Sequence, residues 1–469
     1  MHKNDNNGDD ADNSDADADA DKYSTIFIRR LQKIQPDPSS HKTNNTLVSV
    51  YRNWYRQLCQ ADAFMHSSAR PELLSAMIPT ITPTNGDRSA LPRPTMIENE
   101  SAPFMAKEIT DYIQKTNVTH CLKYAAKNIR GRTVHVNIMH CASSSTSTST
   151  SSSTGTRSTN TGSNDDKQGV PLRDLVRYKS YVYKICAWFY FIQPYVAQDS
   201  ACSKTIDLYF YFTPFKKRLP PSAGHVLGPT NANTGFTYSC NSNPMSGGKT
   251  NTEIIIFRHE EWFKVLLHET LHNLDLDFGH AATSLRDIFP GIRHSILLSE
   301  AYVETWARLL NLAFYVFYDV YGGNGTASKY NVAIRRCLYS ERTFSLFQAN
   351  KTLKYMGLSI SHVLDTGGDT ASVVAKKYRE NTNIFAYYVL AGMLVFSADE
   401  FVDWCAETNE FSLIQASAAA GEKFKTLVRS VSESERTRTA TTTLLPSIME
   451  GIEDEAGDSH NTMRMTLWH

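Results

Sequence analysis

The sequence predicts an α+β protein, with a unit built on a mixed β-sheet followed by a mainly helical unit. Three observations predict it. Short alternating or β-branched runs cluster between residues 132 and 258. A helix-like stretch, Asp174–Val196, separates the first of these runs from the later ones. From His259 the apolar pattern becomes helical and stays so to about residue 430.

Each element has its own signature. Thr46–Phe64 carries Leu47, Val50, Tyr51, Trp54 and Leu58 at helical spacing, and it anchors a region, 23–131, read as mainly helical. Arg132–His140 (RTVHVNIMH) alternates as a strand does. Asp174–Val196 places Leu175, Tyr178, Val182, Ile185 and Phe189 on one helical stripe. Lys204–Thr213 (KTIDLYFYFT) is a strand that ends at Pro214. Asn233–Cys240 reads as a short strand, and Thr252–Arg258 (TEIIIFR) as a β-branched apolar one. Helices are expected at 260–275, 294–320, 328–338, 345–356, 371–379, 383–404 and 411–430, with Gly322, Gly323 and Gly325 stopping one of them.

The 469 residues suit two or three folding units at roughly 100–200 residues each. The 48 basic and 48 acidic residues cancel, but unevenly. Residues 1–21 carry −7 and residues 431–469 carry −4, which leaves +11 on 22–430. Both ends therefore read as solvated, disordered tails, 1–22 and 431–469. Sixteen Ser or Thr in the nineteen residues 143–161 mark a low-complexity insert over 142–169. Between the tails, 132–276 reads as the sheet unit and 277–430 as the helical one. The balanced charge excludes a strongly basic nucleic-acid binder, and no specific nucleic-acid partner is expected. No apolar run reaches the ~20 residues of a membrane helix, and no leader-like start is visible. Eight cysteines without a CxxC pair read as reduced thiols of an intracellular protein. No signal fixes the oligomeric state.

The chemistry concentrates in RHEEWFKVLLHETLHNLDLDFGH, Arg258 to His280, which contains His268-Glu269-Thr270-Leu271-His272. On a helix, positions i and i+4 lie on one face, so the two imidazoles can chelate one metal ion. Glu269 is then placed to act as a general base on water bound there. Phe263, Leu267, Leu271 and Leu274 supply a buried stripe for that helix. A third protein ligand is required. Asp275 and Phe278 occupy the positions where a metzincin places Gly and His, which disfavours that class, and His280 reads as a loop residue. Asp275 and Asp277 can reach the metal or its histidines. Downstream, LLSEAYVETWARLLN sets Glu300 and Glu304 on one face of an almost wholly apolar helix. Glu300 is the favoured ligand, with Glu304 and Asp277 behind the histidines. The competing reading of Glu304 is an ordinary i+4 pair with Arg308. Ser246–Thr250 (SGGKT) is not a P-loop, because Asn243 stands where the first Gly belongs, and no second ExxH pair supports a di-iron bundle.

HExxH followed by a helix bearing ExxxE resembles the gluzincin family of zinc metallopeptidases, and the stretch EIIIFRHEEWFKVLLHETLHNLDLDF is similar to metallopeptidases of large DNA viruses. The resemblance covers about 132–310. It implies a zincin-like subdomain with backing helix and active-site helix, one Zn²⁺ per chain held by His268, His272 and Glu300, and a protein or peptide substrate. It also implies a Tyr or His that stabilises the oxyanion, for which Tyr387, Tyr388 and His362 are the candidates. Asn233 and Gly235 fall on the strand that would pair with substrate. The exopeptidase motif that recognises a free amino terminus is absent there, which favours an endopeptidase. The rival class is a catalytically inactive binding or structural protein on the same fold, virion-associated for example.

Overall fold

Strand β1 (Thr80–Pro83) pairs antiparallel with β2 (Val118–Ile129), and β2 with β3 (Arg132–Cys141). The β2–β3 hairpin turns through Arg130 and Gly131, both at positive φ (47° and 88°), the conformation that a two-residue hairpin of this hand requires. Helix α1 (Leu172–Ile192) then crosses over the sheet, so that β4 (Thr205–Thr213) lies parallel to β3. Strand β6 (Asn251–Arg258) lies parallel to β4, and β5 (Gly235–Thr237) pairs antiparallel with β6 at the sheet edge. The order is β1-β2-β3-β4-β6-β5. This computed structural model describes residues 13–34, 44–67, 77–84, 92, 94, 95, 104–115, 118–141, 169–196, 203–222, 224–238, 240, 251–279, 281–410, 412–417 and 419–468.

Parallel central strands are covered on both faces, as their continuous apolar runs require. One face, with Val136, Ile138, Ile206, Leu208, Ile254 and Ile256, packs in the main core with α1. The other buries Met139, Tyr209, Ile255 and Phe257 with Ile109 from the helix Lys107–Lys115. Helix α2 (Trp262–Asn273) follows β6, and every one of its residues is buried. It is sandwiched between β5, β6 and helix α3 (Leu298–Phe314), whose apolar circumference predicted burial all round.

The architecture is α+β, a six-stranded mixed sheet with a mostly helical remainder. Several boundaries differ from the sequence expectation. The region 23–131, expected to be mainly helical, also supplies β1 and β2. Lys123, Lys127 and the small Ala125 and Ala126 gave β2 little strand signature. The expected helices 328–338 and 345–356 are one helix, α4 (Ala327–Tyr355). Buried Ser340, Glu341, Arg342 and Thr343 masked its period. The expected 383–404 helix breaks at Ser397.

The acidic ends also need correction. A helix already runs from Asn13 to Ile34, burying Phe27 against Phe344 and Phe347 (ring centroids 5.1 and 5.4 Å). Residues 431–469 are not a tail. Helix α5 (Leu445–Ala456) buries Leu445, Ile448 and Ile452, and Met463, Arg464, Met465, Thr466 and Leu467 are all buried. Their apolar spacing outweighs the net charge that suggested solvation. Residues 1–12, nearly all of the 142–169 insert, His280 and Ser246–Thr250 lie outside the described residues. Among the described residues six cysteines are free and Cys240 is disulfide-bonded, which corrects the expectation of thiols throughout. No single helix among the described residues is long and apolar enough to cross a membrane.

Candidate metal centre

Helix α2 begins at Glu261, held in the left-handed region (φ 57°). Its carboxylate pairs with Lys217 and accepts the backbone N–H groups of Met465 and Thr466 at 2.9 and 2.7 Å. At the other end Asn273 is fully used. Its side chain donates to Thr237 Oγ1 at 3.0 Å and accepts from Ser203 Oγ and Thr252 Oγ1 at 2.8 and 2.9 Å. The helix bearing the motif is thus fixed at both ends by buried polar groups, each with partners.

Between those ends, His268 and His272 sit one turn apart with ring centroids 4.9 Å from each other. Glu300, in the first turn of α3, places Oε2 3.2 Å from His268 Nε2 and 3.1 Å from His272 Nε2. The three ligand atoms lie within 4.8 Å of one another. Two imidazole nitrogens and a carboxylate oxygen converging on one point are a donor set that suits a borderline-soft divalent cation.

Behind the cluster, each histidine is held by a carboxylate. Glu304 Oε2 lies 3.0 Å from His268 Nδ1, and Asp277 is hydrogen-bonded to His272 Nδ1. Such contacts fix ring orientation and leave Nε2 facing the cluster. Glu304 also pairs with Arg308 at 2.9 Å, but as a buried group and not on a solvated face. Lys264, one turn before His268, binds both Glu304 oxygens at 2.9 and 3.0 Å.

The charges in the cluster depend on one another. Burial disfavours imidazolium at His268, but hydrogen bonds to Glu300 and Glu304 outweigh it and raise its pKa. At His272 the same contest, with Glu300 and Asp277, ends well above the usual range. Burial raises Glu304, and Lys264 and Arg308 reverse that to hold it well below the usual carboxylate range. Glu269 has no comparable partner, so burial pushes its pKa up despite the two histidines.

Of the oxyanion candidates, the structure brings one to the cluster. The Tyr387 ring lies 5.8 Å from that of His268, and its hydroxyl accepts a long bond, 3.5 Å, from Asn383 Nδ2. Tyr388 points elsewhere. It is the next residue on a helical turn, so its side chain leaves in another direction, and its hydroxyl donates to Met463 O at 2.5 Å. His362 is exposed and contacts Ser359. Asp275 ends α2 in the left-handed region (φ 58°) and is not in the three-ligand cluster. Gly235 begins edge strand β5, and Asn233 stands two residues before it.

Sequence reading missed Lys264 and Asn383. Lys264 is legible in retrospect, as a lysine on the buried face of a helix whose other turns are apolar. Asn383 donates to Glu300 Oε1 at 3.4 Å, and nothing in the local pattern marked it. Comparison with protein-family models, curated proteins and solved structures gives no match.

Proposed function

We propose that this protein is a zinc-dependent peptidase of the gluzincin type that hydrolyses peptide bonds in protein or peptide substrates. The observation that carries the reading is the convergence of His268, His272 and Glu300 within 4.8 Å, with a carboxylate behind each imidazole. That donor set fits one Zn²⁺ per chain, which His268, His272 and Glu300 would hold. A zinc ion held there would supply Lewis-acid chemistry, lowering the pKa of water toward ~7 and polarising a carbonyl.

The remaining steps belong to side chains of this chain. Glu269, adjacent to the first ligand, takes a proton from the attacking water, whose oxygen bonds to the carbonyl carbon. The C–N bond breaks, and Glu269 delivers the proton to the departing nitrogen. The Tyr387 hydroxyl, on a ring 5.8 Å from that of His268, is the proposed donor to the developing oxyanion. The outer edge of β5, with which no described strand pairs, would offer backbone groups to an extended substrate.

The test is metal content followed by digestion of an unstructured protein. About one zinc per chain is expected, with chelator-sensitive hydrolysis that Glu269→Gln abolishes while retaining the metal. A purified chain that takes up no zinc sinks the reading. Zinc without hydrolysis across a broad substrate panel favours an inactive binding protein on the same scaffold.

A further inference from the structure

The edge strand and the helical half meet in a seam beside the candidate metal centre, and the seam limits what can lie there. Thr234 O accepts Phe257 N at 2.9 Å, so Thr234 faces β6. By alternation the N–H and C=O of Gly235 and Thr237 face the outer edge, with which no described strand pairs. Gly235 suits this position because a Cβ there would lie 2.7 Å from Ile255 O and 3.0 Å from Val265 Cγ1, so β5 packs directly on α2. Asn273 reaches Thr237 at the other end of the strand. Strand β5 and helix α2 therefore run side by side in the same direction, and His268 and His272 come level with Phe236.

Upstream of Gly235 the outer edge is occupied. Asn233 Oδ1 accepts from Thr382 Oγ1 at 3.3 Å, and Asn233 Nδ2 donates to Phe104 O at 3.0 Å. Asn381 N donates to Leu227 O at 2.8 Å, and Leu227 forms a parallel bridge with Glu380. Glu380 is itself fixed by Tyr378 Oη and Phe385 N, both at 2.7 Å. Leu227 and Ala232 also share an apolar cluster with Ile384 and Tyr388. The wall is one residue removed from the cluster, because Asn383 follows Thr382 and contacts Glu300.

We infer that the path along β5 is closed at its Asn233 end, so that the substrate of this site is a peptide cut two or three residues from its carboxyl terminus. The inference rests on the peptidase reading above and narrows it. From Phe236 back to Asn233 is three residues, about 10 Å at ~3.3 Å per residue. A strand added to the outer edge of β5 pairs better antiparallel than parallel. An antiparallel substrate points its carboxyl end at Asn233. The residues beyond the scissile bond must therefore fit between the metal level and the seam.

Two measurements test this with the full-length, zinc-loaded protein. The first is mass spectrometry of an N-acetylated peptide series lengthened by one residue at either end. Released fragments should carry the substrate's carboxyl terminus and stay at two or three residues, however long the amino side becomes. Cleavage at internal sites distributed along long peptides, or release from the amino end, overturns the inference. The second reads the cleft by binding alone. Peptides with a zinc-binding hydroxamate at their carboxyl end should gain affinity with length, about threefold or more over four added residues. Those with the hydroxamate at their amino end should stop gaining after two or three. Equal gains in both directions overturn the inference. Because the hydroxamate series requires no turnover, a zinc-loaded protein that hydrolyses nothing would remove the peptidase reading while the closed end is still decided.

Discussion

Lys264 and His268, one turn apart on the same helix, are bound to the same carboxylate. Glu304 holds Lys264 Nζ at 2.9 and 3.0 Å and lies 3.0 Å from His268 Nδ1, while Arg308 approaches it at 2.9 Å. All four side chains are buried. Two cations beside one anion keep Glu304 ionised where burial alone would protonate it. Arg308 also donates to Tyr387 O at 2.7 Å, so one network positions a candidate ligand and the backbone of the candidate oxyanion donor.

Removing a partner from this network should cost more than removing a surface pair. Lys264→Met leaves Glu304 under-compensated in the interior, and we expect a stability loss of about 3 kcal/mol by denaturant titration. The metal-binding consequences should be graded. Glu300→Ala is expected to abolish zinc binding. Glu304→Ala and Asp277→Ala should each weaken it roughly 10–100-fold, the usual effect of losing a group behind a ligand. Isothermal titration with zinc separates these cases. If Glu304→Ala loses zinc and Glu300→Ala keeps it, the two glutamates exchange roles.

Glu341 gives the fold a pH dependence of its own. It is fully buried in α4, its Oε2 accepts Leu467 N at 2.9 Å, and its Oε1 has no hydrogen-bond partner among the described residues. Burial raises its pKa from 4.5 to about 7. A carboxyl that binds its proton more tightly when folded stabilises the protein fully below its unfolded pKa. That contribution is lost as pH rises through about 7. The wild type should therefore lose on the order of 1–3 kcal/mol between pH 4.5 and 7.5 from this group. In Glu341→Gln that part of the pH slope should vanish in thermal melts. An unchanged slope would contradict the assignment.

Gly235→Ala tests how closely β5 lies on the site helix. The added methyl would meet Ile255 O and Ile256 Cδ1, both at 2.7 Å, so the strand or its neighbours must shift. A loss of about 1–3 kcal/mol is expected. Hydrogen exchange should become faster in 233–237 before it does in β4. A variant as stable as wild type would show that the edge strand is looser than its contacts imply.

Much of this protein was legible without coordinates. HExxH specified two groups on one helical face, and the apolar circumference of 296–310 required Glu300 and Glu304 to be buried among partners. Both inferences are local, because a helix repeats its geometry every turn. The alternating run of β3 and the apolar, β-branched runs of β4 and β6 were legible locally too. Strand β2 was not, because its lysines and alanines are weak strand formers that persist only where neighbouring strands pair with them. The C-terminal residues were misread for a related reason. Met463–Trp468 is too short for its alternation of Met463, Met465 and Leu467 to mark an element, and its backbone is satisfied by Glu261, Glu341, Asn311 and Lys217, residues 126 to 246 positions earlier.

The sequence by itself determined the donor types and which of them share a helix face, since φ, ψ and a 3.6-residue turn fix those relations. Only the tertiary structure decided that Tyr387 and not Tyr388 meets His268, that Lys264 and Arg308 share Glu304, and that Asn233 is tied to Thr382. Those contacts join elements separated by long stretches of chain. Their geometry is set by how the sheet, α2 and α3 pack together, and no local repeat encodes it.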